Sequence, residues 1–348
     1  MRDDVASVTV LCDSREVKKT YVVEDGKLSV VFLPKIELRR TDPLHLYLPA
    51  RIRMRRWLET INPHIVHGHG TEAECGFLAT RSGYPNVVTI QGIISELDKL
   101  LGWPRWKQAM SAWLERKVIM EADGLIVSSN WSRRWALQYR GKEDIQFIPN
   151  VVSPEFLQQQ SDYARKRILC VGTLSHFKDP LTVIRAFATA DVPDSELVMI
   201  GDGPLEGACR QESIEKGIGD RVIFTGRLER NDIVGYMLHA RCLAIGSRID
   251  TSPNVVIEAL SMGVPVVGTD AAGVPDMFVD GEEGFVVPVG SVEQMASGMR
   301  ELLISPDRGR HMGIKGMKRV RHQHAPAYVA STHVNWYRKL IEDKASNE

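Results

Sequence analysis

At 348 residues the chain exceeds what one typical hydrophobic core organises, so two domains are expected. Charged content of 25% and hydrophobic content of 43% are ordinary globular values, and a formal net charge of +0 gives no global case for a nucleic-acid partner. The N-terminus, MRDDVAS, has no apolar signal-peptide core, and no apolar run approaches the roughly 20 residues that span a bilayer, which points to a soluble, cytoplasmic protein.

In chain order, the first half reads as strands and helices in irregular alternation. Helices are expected over Leu46–Ile61, Thr71–Ser82, Trp103–Glu121 and Ser132–Tyr139, and strands over His64–Gly70, Asn86–Gly92, Gly124–Ser129 and Ile145–Asn150. Polar Pro154–Arg167 separates the halves. The second half is more regular. RILCVG (Arg167–Gly172), ELVMIG (Glu196–Gly201), RVIFTG (Arg221–Gly226), CLAIGS (Cys242–Ser247) and PVVGT (Pro265–Thr269) read as buried parallel strands, with helical spacing over Pro180–Ala190 and Asn231–Ala240 between them. Most of these strands end at Gly or Ser, where a chain turning above a sheet edge commonly meets a ligand. Ala325–Lys344 reads as a final helix. The five cysteines, Cys12, Cys75, Cys170, Cys209 and Cys242, show neither a C-x-x-C pair nor zinc spacing and are expected as buried free thiols in a reducing compartment.

SRIDTSPNVVIEALSMGVPVV (Ser247–Val267) concentrates the chemistry. Ser252 reads as an N-cap with Pro253 at the first helical position, followed by Asn254, Val255 and a helix that closes at Gly263. A helix N-terminus beside the carboxyl edge of a strand offers free N–H groups and a positive dipole end, which suit a phosphate. Asp250 before the helix and Glu258 within it would repel phosphate, so their partners are expected to be hydroxyls. Hydroxyls beside a diphosphate describe a nucleotide sugar. GTLSHFKDP (Gly172–Pro180) adds Lys178 as a counter-charge, and IGDGPLEG (Ile200–Gly207) adds a turn through Gly201 and Gly203 for close backbone approach.

With Asp250, seven residues and Glu258, then EALSMGVPVVGTD, GDGP at Gly201–Pro204 and IPNVV at Ile148–Val152, the chain resembles the retaining glycosyltransferases of family 4, the glycosyl transferases group 1. The resemblance implies an α/β GT-B fold: two doubly wound, Rossmann-like domains with a cleft between them. It assigns residues 1–153 to an acceptor-side domain and 165–324 to a nucleotide-sugar donor domain, and 325–348 to a helix crossing back to the first domain. It implies catalytic roles for Asp250, Lys178 and Glu258. The donor set would be Gly172, Thr173, Lys178, Gly201, Gly203, Asp250, Ser252, Pro253, Asn254, Val255 and Glu258, with Glu258 on the ribose and Asp250 on the sugar. No cofactor and no divalent metal are expected, in keeping with the lack of a suitably placed D-x-D motif. The partners would be a nucleotide-sugar donor and a glycan or lipid-linked acceptor, without nucleic acid.

The sequence departs from the family in four places. Thr173 stands where an arginine is usual, leaving Arg248 or His176 as substitutes. Asp250 is one methylene shorter than the usual glutamate. Gln91 stands at a strand end often held by histidine, and can hydrogen-bond a sugar but not act as a base. Family members also open with a strand, a Gly-rich loop and a helix ahead of the strand that Val8–Cys12 resembles, so a truncated or misassigned start is expected. Two alternatives stand beside transfer: a nucleotide-sugar epimerase of the same fold, and a non-catalytic nucleotide-sugar-binding or partner subunit.

His67 and His69 are expected on opposite faces of their strand, unable to share a metal, with His69 and Gln91 as acceptor-side candidates. Asn130-Trp131-Ser132 matches a glycosylation sequon but is expected to be a helix cap. Two stripes mix arginine or lysine with apolar residues: Met54, Trp57, Leu58 and Ile61 among Arg51, Arg53, Arg55 and Arg56, and Trp103, Trp106 and Trp113 beside Arg105 and Lys107. Either would suit peripheral contact with the anionic inner face of a membrane. An amphipathic helix packed on its own sheet is the plainer expectation for both.

Overall fold

The computed structural model describes residues 3–35, 47–71 and 74–347. The first elements are β1 (Val8–Ser14), β2 (Tyr21–Asp25), β3 (Leu28–Pro34) and α1 (Leu48–Ile61). They are followed by β4 (Val66–His69), α2 (Glu74–Thr80), β5 (Asn86–Ile90), α3 (Ile94–Leu101), α4 (Arg105–Glu121), β6 (Gly124–Val127), α5 (Asn130–Ala136) and β7 (Ile145–Phe147). Strands β4 to β7 form a four-stranded parallel sheet in chain order. Strands β1 to β3 form a separate sheet of order β1-β3-β2, in which β1 runs parallel and β2 antiparallel to β3. Among the described residues no strand pairs with the outer edge of β1 or of β4. Ion pairs tie the small sheet to the rest: Arg53 on α1 with Asp13 at 3.6 Å, and Lys35 with Glu74 on α2 at 3.2 Å.

The second half continues with β8 (Arg167–Val171), α6 (Pro180–Ala190), β9 (Glu196–Ile200), α7 (Glu206–Glu215), β10 (Val222–Gly226) and α8 (Arg230–Met237). It then runs through β11 (Cys242–Ile245), α9 (Asn254–Ser261), β12 (Val266–Thr269), β13 (Gly284–Val287), α10 (Val292–Ile304), α11 (Pro306–Gln323) and α12 (Pro326–Asn347). Its six strands form one parallel sheet of order β10-β9-β8-β11-β12-β13. The strand side chains alternate between two cores, as a period of two requires. Ile168, Met199, Cys242, Ala244 and Val267 face the core under α6 and α10, while Leu169, Val198, Leu243, Ile245 and Val266 face the core under α8 and α9. Together the sheets give an α/β GT-B architecture.

Most expected elements are present with shifted ends. Leu46 and residues 72–73 lie outside the described residues, so those two helices are seen from Leu48 and Glu74. The stretch expected as one helix from Trp103 begins at Arg105, after Pro104. The polar segment after Pro154 is no loose linker. Phe156 is fully buried in the second-half core, and the Ser161 hydroxyl donates to the Ala240 carbonyl at 2.9 Å. Cys209 and Cys242 are buried as expected, but Cys12 and Cys75 are exposed, and no disulfide forms among the described residues. No helix of the described residues is long and apolar enough to cross a membrane.

Helix α12 covers the back of the four-stranded sheet. Val329, Trp336 and Leu340 pack with Val87, Ile126 and Ile148, and Lys344 pairs with Asp123 at 2.9 Å. Beneath it lies a cluster that corrects the histidine expectation. His67 and His69 are two residues apart on β4, which places them on one face, and their rings stack with centroids 4.3 Å apart. His67 bonds the Tyr337 hydroxyl through Nδ1 and the Thr89 hydroxyl through Nε2, both at 2.6 Å. Burial, with His69 and His333 nearby, pushes its pKa down to about 3. A histidine that is neutral when folded and titrates near its ordinary value when unfolded contributes stability above that ordinary value and loses it as pH falls below. Below about pH 6.5 the loss should reach at most about 1.4 kcal/mol per pH unit from this one group. Urea midpoints measured at falling pH should show it, and a His67→Asn variant should have the flatter profile. Identical slopes in both proteins would remove His67 as the cause.

Candidate active site

Counted along its own sheet, the second half's strands lie in the order third, second, first, fourth, fifth, sixth, so the chain reverses direction between β8 and β11. Loops leaving the carboxyl ends of two strands that flank such a reversal diverge and open a crevice, the usual ligand position of doubly wound sheets. These two loops carry the residues singled out above: Gly172–Asp179 after β8 and Gly246–Pro253 after β11. Lys178 and Asp250 form an ion pair across the reversal, with side chains 39% and 13% exposed. Asp179 caps α6 through the Thr182 N–H and binds Arg248 at 2.8 Å. Arg248 is therefore committed to Asp179, while Thr173 and His176 are exposed at the rim.

Glycines let these loops close on one another. A Cβ on Gly201 would lie 2.1 Å from the Gly172 carbonyl oxygen, and its φ of +133° is one that side chains rarely adopt. A Cβ on Gly203 would lie 2.5 Å from the Leu174 carbonyl oxygen. The loops after β8 and β9 thus touch backbone to backbone, a close packing that by itself requires glycine at both positions.

Helix α9 starts one residue later than expected. Pro253 is its N-cap and Asn254 its first residue, and no side chain caps the end. Ser252 is diverted from capping: its hydroxyl donates to the Met277 sulfur at 3.3 Å and accepts from Asn150 Nδ2 at 3.3 Å. A helix end without a side-chain cap keeps N–H groups for another partner. Glu258 lies one turn further, on the same face as Asn254. Burial pushes its carboxyl pKa up, Arg230 opposes that shift and Glu155 adds to it.

Asn150, from the first half, is a site residue that the sequence reading passed over. Its side-chain amide donates to the Ser252 carbonyl at 3.2 Å and to Asn254 Oδ1 at 2.8 Å, clasping the start of α9 from across the domain junction. The Asn150 carbonyl in turn bonds His324 Nδ1 at 2.7 Å. A second clasp runs through Asp276, which accepts from the Trp131 N–H at 2.9 Å at the start of α5. That helix is capped by Ser129, in a capping box with Ser132, so Asn130 is its first residue and not its cap. In the first half His69 ends β4 and Gln91 follows the adjacent parallel strand β5, and Gln91 Nε2 stands 3.4 Å from His69 Nδ1. Among the described residues no group of three His, Cys, Asp or Glu side chains could hold a metal ion.

Two family profiles tile the chain: Glycosyltransferase Family 4 over residues 4–156 and Glycosyl transferases group 1 over residues 152–319. The chain belongs to the group 1 glycosyl transferases. Among similar sequences, the uncharacterized glycosyltransferase YqgM of Bacillus subtilis is 25% identical over 288 residues, covering 81% of this chain and 79% of that one. The GDP-mannose-dependent alpha-(1-6)-phosphatidylinositol monomannoside mannosyltransferase of Mycolicibacterium smegmatis is 26% identical over 262 residues, covering 69% and 67%. Among solved structures, sucrose-phosphate synthase from Thermosynechococcus elongatus matches with a TM-score of 0.82 at 19% identity, covering 96% of this chain and 89% of that one. Anabaena HepE in complex with UDP-glucose matches with a TM-score of 0.70 at 16% identity, covering 90% and 86%. Membership fixes the class of reaction, glycosyl transfer, and the structural likenesses fix the GT-B fold.

Proposed function

We propose that this group 1 enzyme transfers a hexosyl group from a nucleoside-diphosphate sugar to a hydroxyl of a glycan or lipid-linked acceptor, with retention of anomeric configuration. The reading includes a cytoplasmic site of action and independence of any divalent metal. The observation that carries it is the crevice at the sheet reversal that Lys178 lines together with Val255, in the first turn of the uncapped helix α9. Positive charge and free N–H groups there suit a diphosphate. In this reading Lys178 and the Ser252–Val255 backbone bind the diphosphate, Gly172, Thr173, Gly201 and Gly203 let it approach, Glu258 holds the ribose and Asp250 meets the sugar hydroxyls. His69 and Gln91 would meet the acceptor. The anomeric carbon's bond to the diphosphate oxygen breaks as its bond to the acceptor oxygen forms, and the acceptor proton leaves with the departing diphosphate. The charge that a metal would neutralise falls to Lys178 and the helix end, so EDTA should leave transfer unchanged. The anomeric proton coupling of the product reads retention directly.

A thermal-shift panel of UDP-, GDP- and ADP-sugars tests the donor site. A donor at 100 times its dissociation constant should stabilise the protein by about 2.7 kcal/mol. We expect one nucleotide class to do so and Glu258→Ala to abolish most of the shift. Shifts from no donor, in a protein that unfolds cooperatively, would overturn the reading and favour the non-catalytic partner subunit, for which Thr173 in place of a cation is the supporting feature.

A further inference from the structure

The start of α9 has two ways to arrange itself, and local sequence favours the one that the structure does not adopt. A serine ahead of Pro-Asn-Val can be an N-cap: its hydroxyl accepts from the N–H of the second or third helical residue, and its carbonyl takes the first bond of the helix. With Ser252 as cap and Pro253 at the first helical position, those residues are Asn254 and Val255. The Pro253 φ of −67° is already helical, and only its ψ of 114° keeps it out of the helix. The self-capped form is one backbone rotation away.

Asn150 occupies both of the groups that Ser252 needs for that form. Its Nδ2 donates to the Ser252 carbonyl at 3.2 Å and to the Ser252 hydroxyl at 3.3 Å, with a third contact to Asn254 Oδ1 at 2.8 Å. The first N–H of the helix to be bonded is therefore that of Val256, which donates to the Pro253 carbonyl at 3.1 Å. Among the described residues no acceptor engages the N–H groups of Asn254 and Val255. Val255 also lines the crevice at the sheet reversal, together with Lys178 and Ser247, so the open donors border the place proposed for the diphosphate.

The amide that does this stands on a fixed backbone. The Asn150 carbonyl accepts from Nδ1–H of buried His324 at 2.7 Å, and the Val152 N–H donates to the His324 carbonyl at 3.1 Å. These bonds join the two segments by which the chain passes between its halves, and neither uses the Asn150 side chain. We infer that Asn150 is a positioning residue of the donor site: it withholds Ser252 from α9, so that the Asn254 and Val255 N–H groups stay open for a diphosphate. This role rests on the proposed donor site, to which it adds a first-half residue that acts through Ser252 and not on the ligand.

The test is a double-mutant cycle of Asn150→Ala and Ser252→Ala, read by calorimetric titration with whichever of UDP, GDP and ADP stabilises the parent, and by NMR exchange of the Asn254 and Val255 amides. In the parent without ligand, both amides should exchange faster than that of Val256. In Asn150→Ala one of the two should slow, because the Ser252 hydroxyl now accepts from it. Nucleotide affinity should fall about tenfold, as it does when only about a tenth of the protein keeps the competent helix end. Introduced into Ser252→Ala, the same Asn150 substitution should cost less than about twofold, since no hydroxyl remains to cap the helix. Parental affinity in Asn150→Ala, amides that exchange no slower there, or an equal loss with and without the Ser252 hydroxyl each overturns the role and leaves the donor site standing. So does protection of the Asn254 and Val255 amides in the parent, a reading that needs no variant to fold. A parent that none of the three diphosphates stabilises removes the donor site and the role of Asn150 together.

Discussion

Replacing Lys178 by alanine is expected to lower kcat/KM by about 10²–10³-fold, the range found when one preorganised donor to a developing negative charge is removed. In the proposed reaction the departing diphosphate gathers charge as the anomeric bond breaks, and Lys178 is the side-chain cation placed at the sheet reversal to meet it, because Arg248 is bound to Asp179 and Thr173 carries no charge. The ion pair with Asp250 complicates a single substitution. Asp250 is only 13% exposed, and removing its partner strands a half-desolvated carboxylate beside the very phosphate it should not face. A Lys178→Ala/Asp250→Asn double variant separates the two effects. If lysine acts on the diphosphate, the double variant is much slower than Asp250→Asn alone. If lysine serves only to neutralise Asp250, the double variant matches Asp250→Asn alone. Steady-state kinetics on all three variants, with thermal unfolding as the check on folding, decides between them, and a double variant no slower than Asp250→Asn would sink the proposed role.

What the sequence disclosed about this region follows from how local each feature is. Buried parallel strands such as Arg167–Val171 and Glu196–Ile200 show as short apolar runs closed by glycine, and the bounds of α6 were readable because Asp179 and Pro180 start it locally. The β2–β3 hairpin was missed although its signal was present: Asp25-Gly26-Lys27 lies between YVVE and LSVVF, and Gly26-Lys27 forms the two-residue turn between the strands. The error on His67 and His69 was one of counting, since residues two apart on a strand share a face. The Ser252 cap failed for a reason that no local pattern holds. Asn150 and Met277 lie far from it in sequence, and their claims on its hydroxyl exist only once the two halves meet. Asn150 was invisible for the same reason. Its motif was noted, but its work is done on atoms about a hundred residues away.

The junction that Asn150 helps to close also sets the second large expected effect, at Gly273. This glycine has φ −93°, which any residue adopts, so its requirement is space and not backbone freedom. A Cβ there would stand 1.8 Å from the Thr251 carbonyl oxygen and 2.9 Å from the Ser129 hydroxyl. Its N–H also donates to the Asp250 carbonyl at 2.8 Å. One methyl group would therefore press the donor loop at Asp250–Thr251 away on one side and the start of α5 away on the other. Gly273→Ala should cost about 1–3 kcal/mol in urea unfolding, as overpacking does in a filled site. Because the displaced backbone carries Asp250 and leads into α9, the nucleotide-induced thermal shift should weaken as well, even where the protein remains folded. Gly207→Ala is the matched control. Gly207 lies within α7 with nothing within 4 Å of its added Cβ. There alanine should leave donor binding unchanged and raise stability by about 0.5–1 kcal/mol through its better helix propensity. A Gly273→Ala protein with parental stability and an undiminished donor shift would mean that the loop yields without cost. The tight contact between the two halves could then not be what holds the donor site in place.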